Sequence, residues 1–310
     1  MPQTATRATL DEAWQASRKL LDWMHVPGMA DYVNALVSGK SLNHGGHWSL
    51  YANEQHLAPL SRKLGRALSM VSLGCGSGHI EASLIREFKW PVDRVLGLEF
   101  DEQLRLAATD TFSNIPVDSA FEFLDFNNPA CTHGKFDVIF CCHAIHHATD
   151  LETFLPFVNS LMHEGSIFLG IDYFGPTRFQ VEYETKVILE KLDAALPSEL
   201  TCDLREDAPR PSPLKFATIK EVREADISES VRSSDLRTLL FSNFPVEELK
   251  PMGGTLLRWL LQYRAGNFHP HNPDHLSIAK LLIYIESLLI ETKQIRSDDL
   301  FFVCRKSSVI

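Results

Sequence analysis

The sequence predicts an α/β protein with a doubly wound, mostly parallel sheet, and three observations predict it. An apolar run at residues 70–73 leads straight into Gly74, Gly76 and Gly78, then into 80–88, where Ile80, Leu84, Ile85 and Phe88 recur at helical spacing. Further short apolar runs at 94–99, 121–126, 136–143 and 166–172 alternate with helical stretches, as parallel strands covered on both faces do. Glu99, Asp125, His143 and Asp172 all fall at the ends of these runs. Ligands of open parallel sheets bind there, outside the carboxyl ends of the strands.

The glycine turn comes first because the other elements are arranged around it. Glycine lets the backbone take positive φ and lets a ligand approach the main chain. Free N–H groups at the following helix start favour an anionic group. A dinucleotide fingerprint is G-x-G-x-x-G. Here the spacing is G-x-G-x-G, and His79 stands where the third glycine would be, which counts against a nicotinamide-dependent oxidoreductase. Glu99 lies about 20 residues past the glycines, where a carboxylate accepts from ribose hydroxyls. Asp101 shares its strand face and is the alternative acid.

In order and spacing, roughly residues 60–175 resemble the class I S-adenosylmethionine-dependent methyltransferases. Leu73-Gly74-Cys75-Gly76-Ser77-Gly78 matches the family's glycine motif, Glu99 its ribose acid and Asp125 its adenine-contacting acid. The stretch from Phe136-Asp137 through His146-His147 matches its fourth-strand motif. The resemblance implies a Rossmann-like core with S-adenosylmethionine as cofactor and S-adenosylhomocysteine as product. It implies that Gly74, Cys75, Gly76, Gly78 and Cys142 surround the methionine end, and that Glu99 holds the ribose. Phe100 and Phe126 then pack on adenine, and Asp125 accepts from its exocyclic amine. It also implies an N-terminal extension folded over the cofactor, with Trp48 and Tyr51 closing the pocket. One position departs: an acid often stands two residues before the first glycine, and here that residue is Ser72. The methionine ammonium is left to a backbone carbonyl or water.

In the family, the loop carrying Cys142, His143, Ile145, His146 and His147 borders both the sulfonium and the acceptor. Methyl transfer is an in-line displacement at carbon that discharges the sulfonium. The protein's main task is to place a nucleophile in line, away from water. A hydroxyl or ammonium acceptor must also lose a proton, and histidine titrates in the right range. His143 is the first candidate base, with His147 and Tyr173 as further catalytic candidates on the acceptor side. Holding the loop through backbone hydrogen bonds is the competing role for each histidine. His143 and His147 share a face if the segment is helical, and Asp172 offers a third metal ligand. The spacing matches no structural zinc pattern, so no metal is expected. His269, His271 and His275, interrupted by Pro270 and Pro273, read as a surface loop or cap.

With 310 residues, 45% hydrophobic and 23% charged, the composition is that of one large globular domain or a domain with an insertion. A formal charge of -10 argues against a nucleic-acid partner. No apolar run spans a bilayer, so no membrane partner is expected. The start, MPQTATRATLDEAW, lacks the apolar core of a secretory signal. Six scattered cysteines without a C-x-x-C pair suit reduced thiols, so a cytoplasmic location is expected. The sequence leaves a homodimer open.

Four segments are expected: 1–56, an N-terminal helical extension or lid; 57–176, the cofactor-binding core; 177–232, a helical cap insertion; and 233–310, which completes the core. The first contains two helices within 8–38, Thr9 capping one of them with Glu12 three residues on. The third contains a helix at 179–196 and a proline- and acid-rich loop at 198–213. The fourth contains a helix at 234–241, a strand at 246–250, helices at 253–265 and 276–290, and an antiparallel last strand at 299–306. Capped layout and acidic charge favour a small-molecule acceptor, with an O-, N- or C-nucleophile, in specialised-metabolite biosynthesis. A peptide or protein side-chain methyltransferase would instead show an open groove over His143. A non-catalytic S-adenosylmethionine-binding protein would bind the cofactor with the acceptor space blocked.

Overall fold

Seven strands make a single sheet in the computed structural model, which describes residues 18–131, 134–206 and 208–306. They are β1 (Leu68–Leu73), β2 (Val92–Glu99), β3 (Asp118–Phe123), β4 (Phe136–Cys142), β5 (Met162–Tyr173), β6 (Val246–Pro251) and β7 (Asp299–Arg305). Their order is β3-β2-β1-β4-β5-β7-β6. Strands β1 to β5 are mutually parallel, and β7 runs antiparallel to both neighbours. The chain moves outward from β1 to β3, then returns to place β4 on the other side of β1. The crevice at that reversal, above the ends of β1 and β4, is where such sheets bind ligands.

Burial follows position in the sheet. The inner strand β4 is buried from Phe136 to Cys141, whereas no residue of the edge strand β3 is buried. Val71, Leu96, Ile139, Phe168 and Phe302 form the core with Phe154, Leu155 and Val158 of the helix Leu151–Ser160. Each fully buried side chain of this size contributes about 1.5–3 kcal/mol. Helix starts are capped locally: Asp101 accepts from the Leu104 N–H at 3.0 Å and Asp150 from the Thr153 N–H at 3.0 Å. Asp101, the alternative ribose acid, is therefore a helix cap.

Several element boundaries differ from expectation for local reasons. Strand β3 stops at Phe123, and Asp125 stands beyond it in a turn, accepting from the Asn127 N–H at 2.8 Å. Strand β5 starts at Met162 and absorbs the expected turn at 164–165 as a pairing irregularity, with Gly165 at φ 91°. Residues 18–25 contain two 3-10 turns, Arg18–Leu20 and Trp23–His25, where a helix was expected. Asp22 caps the second by accepting from the Met24 N–H at 2.9 Å. In 253–265 only Leu257–Leu261 is α-helical. Thr9 and Glu12 lie outside the described residues.

The chain divides into two compact units. Among the described residues, one comprises those of 18–34, 181–216 and 253–297; the other comprises those of 35–180, 217–252 and 298–306. The expected segment 57–176 lies wholly in the second unit, and each of the other three contributes to both. In the first unit, the buried Glu286 accepts from the N–H groups of Gly254, Leu256 and Leu257 and thereby closes the start of Leu257–Leu261. The sheet belongs to the second.

Asp137, at the base of β4, is a buried anchor of that unit. It accepts from both Arg66 guanidinium Nη atoms at 2.7 and 2.8 Å and from the Ser69 N–H at 2.8 Å, and the His163 ring approaches to 3.0 Å. Burial opposes its charge, but Arg66 and Ser69 prevail and hold the carboxyl well below its ordinary range. A depressed carboxyl stabilises the fold above its unfolded value, and that stabilisation is lost as pH falls toward the folded value. Asp137→Ala is expected to cost about 2–4 kcal/mol at neutral pH, in thermal or urea unfolding. The gap to the wild type should narrow progressively below about pH 4.

Candidate active site

Gly74, Gly76 and Gly78 all take left-handed backbone, with φ of 67°, 54° and 72°. A Cβ on Gly74 would stand 2.6 Å from the Ala144 Cβ, so only glycine lets the end of β1 pass the loop after β4. At Gly76 the same position is open. The Gly76 N–H donates to Glu99 Oε2 at 2.9 Å, and the Asp101 N–H donates to Oε1 at 3.0 Å. Glu99 is thus fixed opposite the turn. Arg105 holds the same strand end by donating to the carbonyls of Glu99 and Phe100, both at 2.9 Å.

A cavity of about 530 Å³ opens over these strand ends. Gly74, Glu99, Phe100, Asp125 and Phe126 line one side. His143, Ala144 and His147 line the other, joined by Asp226, Ile227 and Ser228. Phe126 is held from behind by Phe154, ring centroids 4.5 Å apart, whereas Phe100 is 65% exposed. Seven of the residues expected at the site, Gly74, Glu99, Phe100, Asp125, Phe126, His143 and His147, meet here. Cys75, Gly76, Gly78 and Cys142 stand outside the lining. Burial raises the thiol pKa of Cys75 and of Cys142, and Glu81 adds to both shifts, so neither is a thiolate.

The three histidines have different jobs. His143 takes φ 50°, an uncommon backbone for a residue with a Cβ, and its N–H donates to the Ile171 carbonyl at 2.8 Å. Its exposed ring faces the cavity without a hydrogen bond to the described residues. His146 is buried. Its Nδ1 lies 2.5 Å from Asp172 Oδ1, and its Nε2 lies 3.5 Å from Glu229 Oε1. Burial alone would lower the His146 pKa, but the charge and hydrogen bond of Asp172 outweigh it and raise it. Asp172 is held low in turn by His146 against its own burial. Its Oδ2 accepts from the N–H groups of Ala144 and Ile145 at 3.0 and 2.8 Å, so this carboxylate shapes the histidine loop. His147 bonds Ser228 Oγ through Nδ1 at 2.9 Å. Burial, then the neighbouring His146, lower its pKa. Near neutral pH His147 is therefore an uncharged imidazole on the cavity wall, able to take a proton.

His143, His147 and Asp172 do not form a ligand set, because Asp172 is turned inward to the loop and His146. Among the described residues, ligand atoms of His146, His147 and Glu229 lie within 4.8 Å of one another. This trio has the donor chemistry for a divalent cation, with Asp172 orienting His146 as carboxylates do behind metal-bound imidazoles.

Other expected residues are placed elsewhere. Tyr173 is 1% exposed, donates to the Pro176 carbonyl at 3.2 Å and stacks on Phe179 with centroids 4.3 Å apart. It follows Asp172 on β5 and so points to the other face of the strand, holding the next turn. Tyr51 donates to both Glu248 carboxylate oxygens at 3.0 Å, and the Lys250 ammonium sits 3.6 Å from its ring centroid. Trp48 lies against Phe140 and edge-on to Trp90, which precedes β2 at the end opposite Glu99. Neither aromatic lines the cavity. The 226–229 stretch belongs to the expected cap at 177–232, but none of its residues was singled out, and the role of Asp172 was not foreseen. No motif marks the former, and the latter shows only as an acid at a strand end.

Residues 71–168 match the family model described as a methyltransferase domain. No curated protein matches the chain in sequence. Among solved structures the chain is similar to an S-adenosylmethionine-dependent methyltransferase from Mesorhizobium loti. The two are 14% identical, over 83% of this chain and 96% of that one, with a TM-score of 0.47. It is also similar to the geranyl diphosphate C-methyltransferase of Streptomyces coelicolor, which is 12% identical over 92% of this chain and 85% of that one, with a TM-score of 0.45. No helix of the described residues is long and apolar enough to cross a membrane. The stretch that is similar to a methyltransferase domain thus spans the strands that carry the glycine turn, Glu99, Asp125 and the histidine loop.

Proposed function

We propose that this protein transfers a methyl group from S-adenosylmethionine to an O-, N- or C-nucleophile of a small molecule, in metabolite biosynthesis. One observation carries the reading: a single cavity has acids for a nucleoside on one wall and imidazoles on the other. The glycine turn holds the methionine end, Glu99 the ribose hydroxyls and Asp125 the adenine amine, with Phe126 against the ring. Bound S-adenosylmethionine supplies an electrophilic methyl group. His147, uncharged near neutral pH, accepts the acceptor's proton, and His143 positions the acceptor from the strand tip. Asp172 keeps both on the cavity side by holding the N–H groups of Ala144 and Ile145. A volume of about 530 Å³ suits a cofactor with a compact acceptor, which supports a small molecule over a folded protein.

His143→Ala and His147→Ala are each expected to leave S-adenosylmethionine affinity within about twofold and to lower turnover about a hundredfold. Calorimetry reads the first, and transfer of labelled methyl to a panel of small hydroxyl, amine and carbon acids reads the second. Unaltered rates in both variants would remove the histidines from the chemistry.

A further inference from the structure

Glu81 is the third residue of the helix His79–Arg86, directly after the glycine turn, and it is only 2% exposed. Ser72 Oγ donates to its Oε1 at 2.6 Å. Its Oε2 is buried without any hydrogen-bond partner, and no cation touches the carboxyl among the described residues. The ionisable groups that act on it or feel it are Glu99 at the end of β2, Cys75 in the turn and Cys142 at the end of β4. Glu81 thus stands at the glycine turn, between the end of β1 at Ser72 and the helix start. A buried carboxyl with an unused oxygen costs stability, and the fold gains nothing from its charge. A glutamine could keep the Ser72 bond. A cation arriving from outside would give that oxygen a partner.

We propose that Glu81 receives the α-ammonium of S-adenosylmethionine on its unpartnered Oε2, with Ser72 fixing the carboxyl. The inference rests on the cofactor reading above. It differs from the expectation that a carbonyl or water meets the ammonium because Ser72 stands where an acid was expected. The acid comes instead from the helix, nine residues on, and Ser72 serves it. Glu81 is then a specificity residue for the amino-acid tail of the cofactor. Burial, partly countered by the Ser72 bond, pushes its carboxyl up to about 7 in the empty site. An arriving ammonium would ionise it, so binding near neutral pH would release a proton.

Calorimetry with S-adenosylmethionine and with 5′-methylthioadenosine, which lacks the amino-acid end, tests the assignment on the full chain. Glu81→Gln is expected to weaken S-adenosylmethionine at least about tenfold and to leave methylthioadenosine unchanged. Wild-type affinity for S-adenosylmethionine should fall from about pH 7.5 to about pH 6, with proton release dependent on buffer, and Glu81→Gln should flatten both. Equal losses for the two ligands, no loss, or an unchanged pH profile would overturn the assignment. If Glu81→Gln does not fold, Ser72→Ala replaces it, with a smaller loss expected for S-adenosylmethionine alone; no selective loss counts against the proposal. A wild-type protein that binds neither nucleoside would sink the cofactor reading itself.

Discussion

Glu99→Ala is expected to weaken S-adenosylmethionine binding by about ten- to a hundredfold, the equivalent of about 1.5–3 kcal/mol of charge-assisted bonding. Two effects act in one direction. The ribose hydroxyls lose a carboxylate that lines the cavity, and Gly76 loses the acceptor that fixes its N–H at 2.9 Å. The glycine turn would then loosen where the methionine end must sit. Stability should change far less than affinity, since Glu99 is only partly buried and its strand end is also held by Arg105. Calorimetry and a thermal melt on one preparation separate the two. Unchanged affinity would refute the ribose assignment. Glu99→Gln keeps the shape without the charge and should fall between.

Asp172→Ala is expected to lower stability by about 2–4 kcal/mol, because it takes the hydrogen-bond partner from the buried His146 and strands two buried N–H groups. Turnover should fall with it, since the loop that presents His143 and His147 would lose its anchor. The pH dependence has two limbs. His146 is raised, so its contribution is present below the ordinary imidazole value and is lost as pH rises through its folded value. Asp172 is lowered, so its contribution is present above the ordinary carboxylate value and is lost as pH falls toward its folded value. The pair therefore stabilises most between about pH 4 and about pH 6.5. Asp172→Asn should flatten the alkaline limb in urea unfolding at several pH values. A variant with the wild-type alkaline limb would show that the pair does not couple to folding.

How much of the site was legible depends on the distance over which each signal is written. The glycine turn and the acid at the end of β2 are encoded within a few residues each, by backbone freedom and strand termination. Asp125 lines the cavity although its strand ends earlier, because it stands in the turn that follows. Glu81 stands on the first turn of the helix, and nothing local says that its second oxygen is left without a partner. Tyr51 and Tyr173 do not line the cavity, and an aromatic near a glycine motif carries no mark of which face it will cover.

By itself the sequence determined the alternating αβ layout, and it pointed to the turn of Gly74, Gly76 and Gly78, to Glu99 and Asp125, and to the loop after β4 as its candidate site. Local backbone preference and apolar periodicity suffice for these. The tertiary structure alone decided that the His146 pKa is raised and that of His147 lowered, and that Ser228 and Glu229 join them. It also decided that Tyr51 is committed to Glu248. These depend on partners 26, 81 and 197 residues away, for Asp172 with His146, Ser228 with His147 and Glu248 with Tyr51. A side chain's charge and reach are set by what folding buries beside it, and no short stretch of chain contains that information.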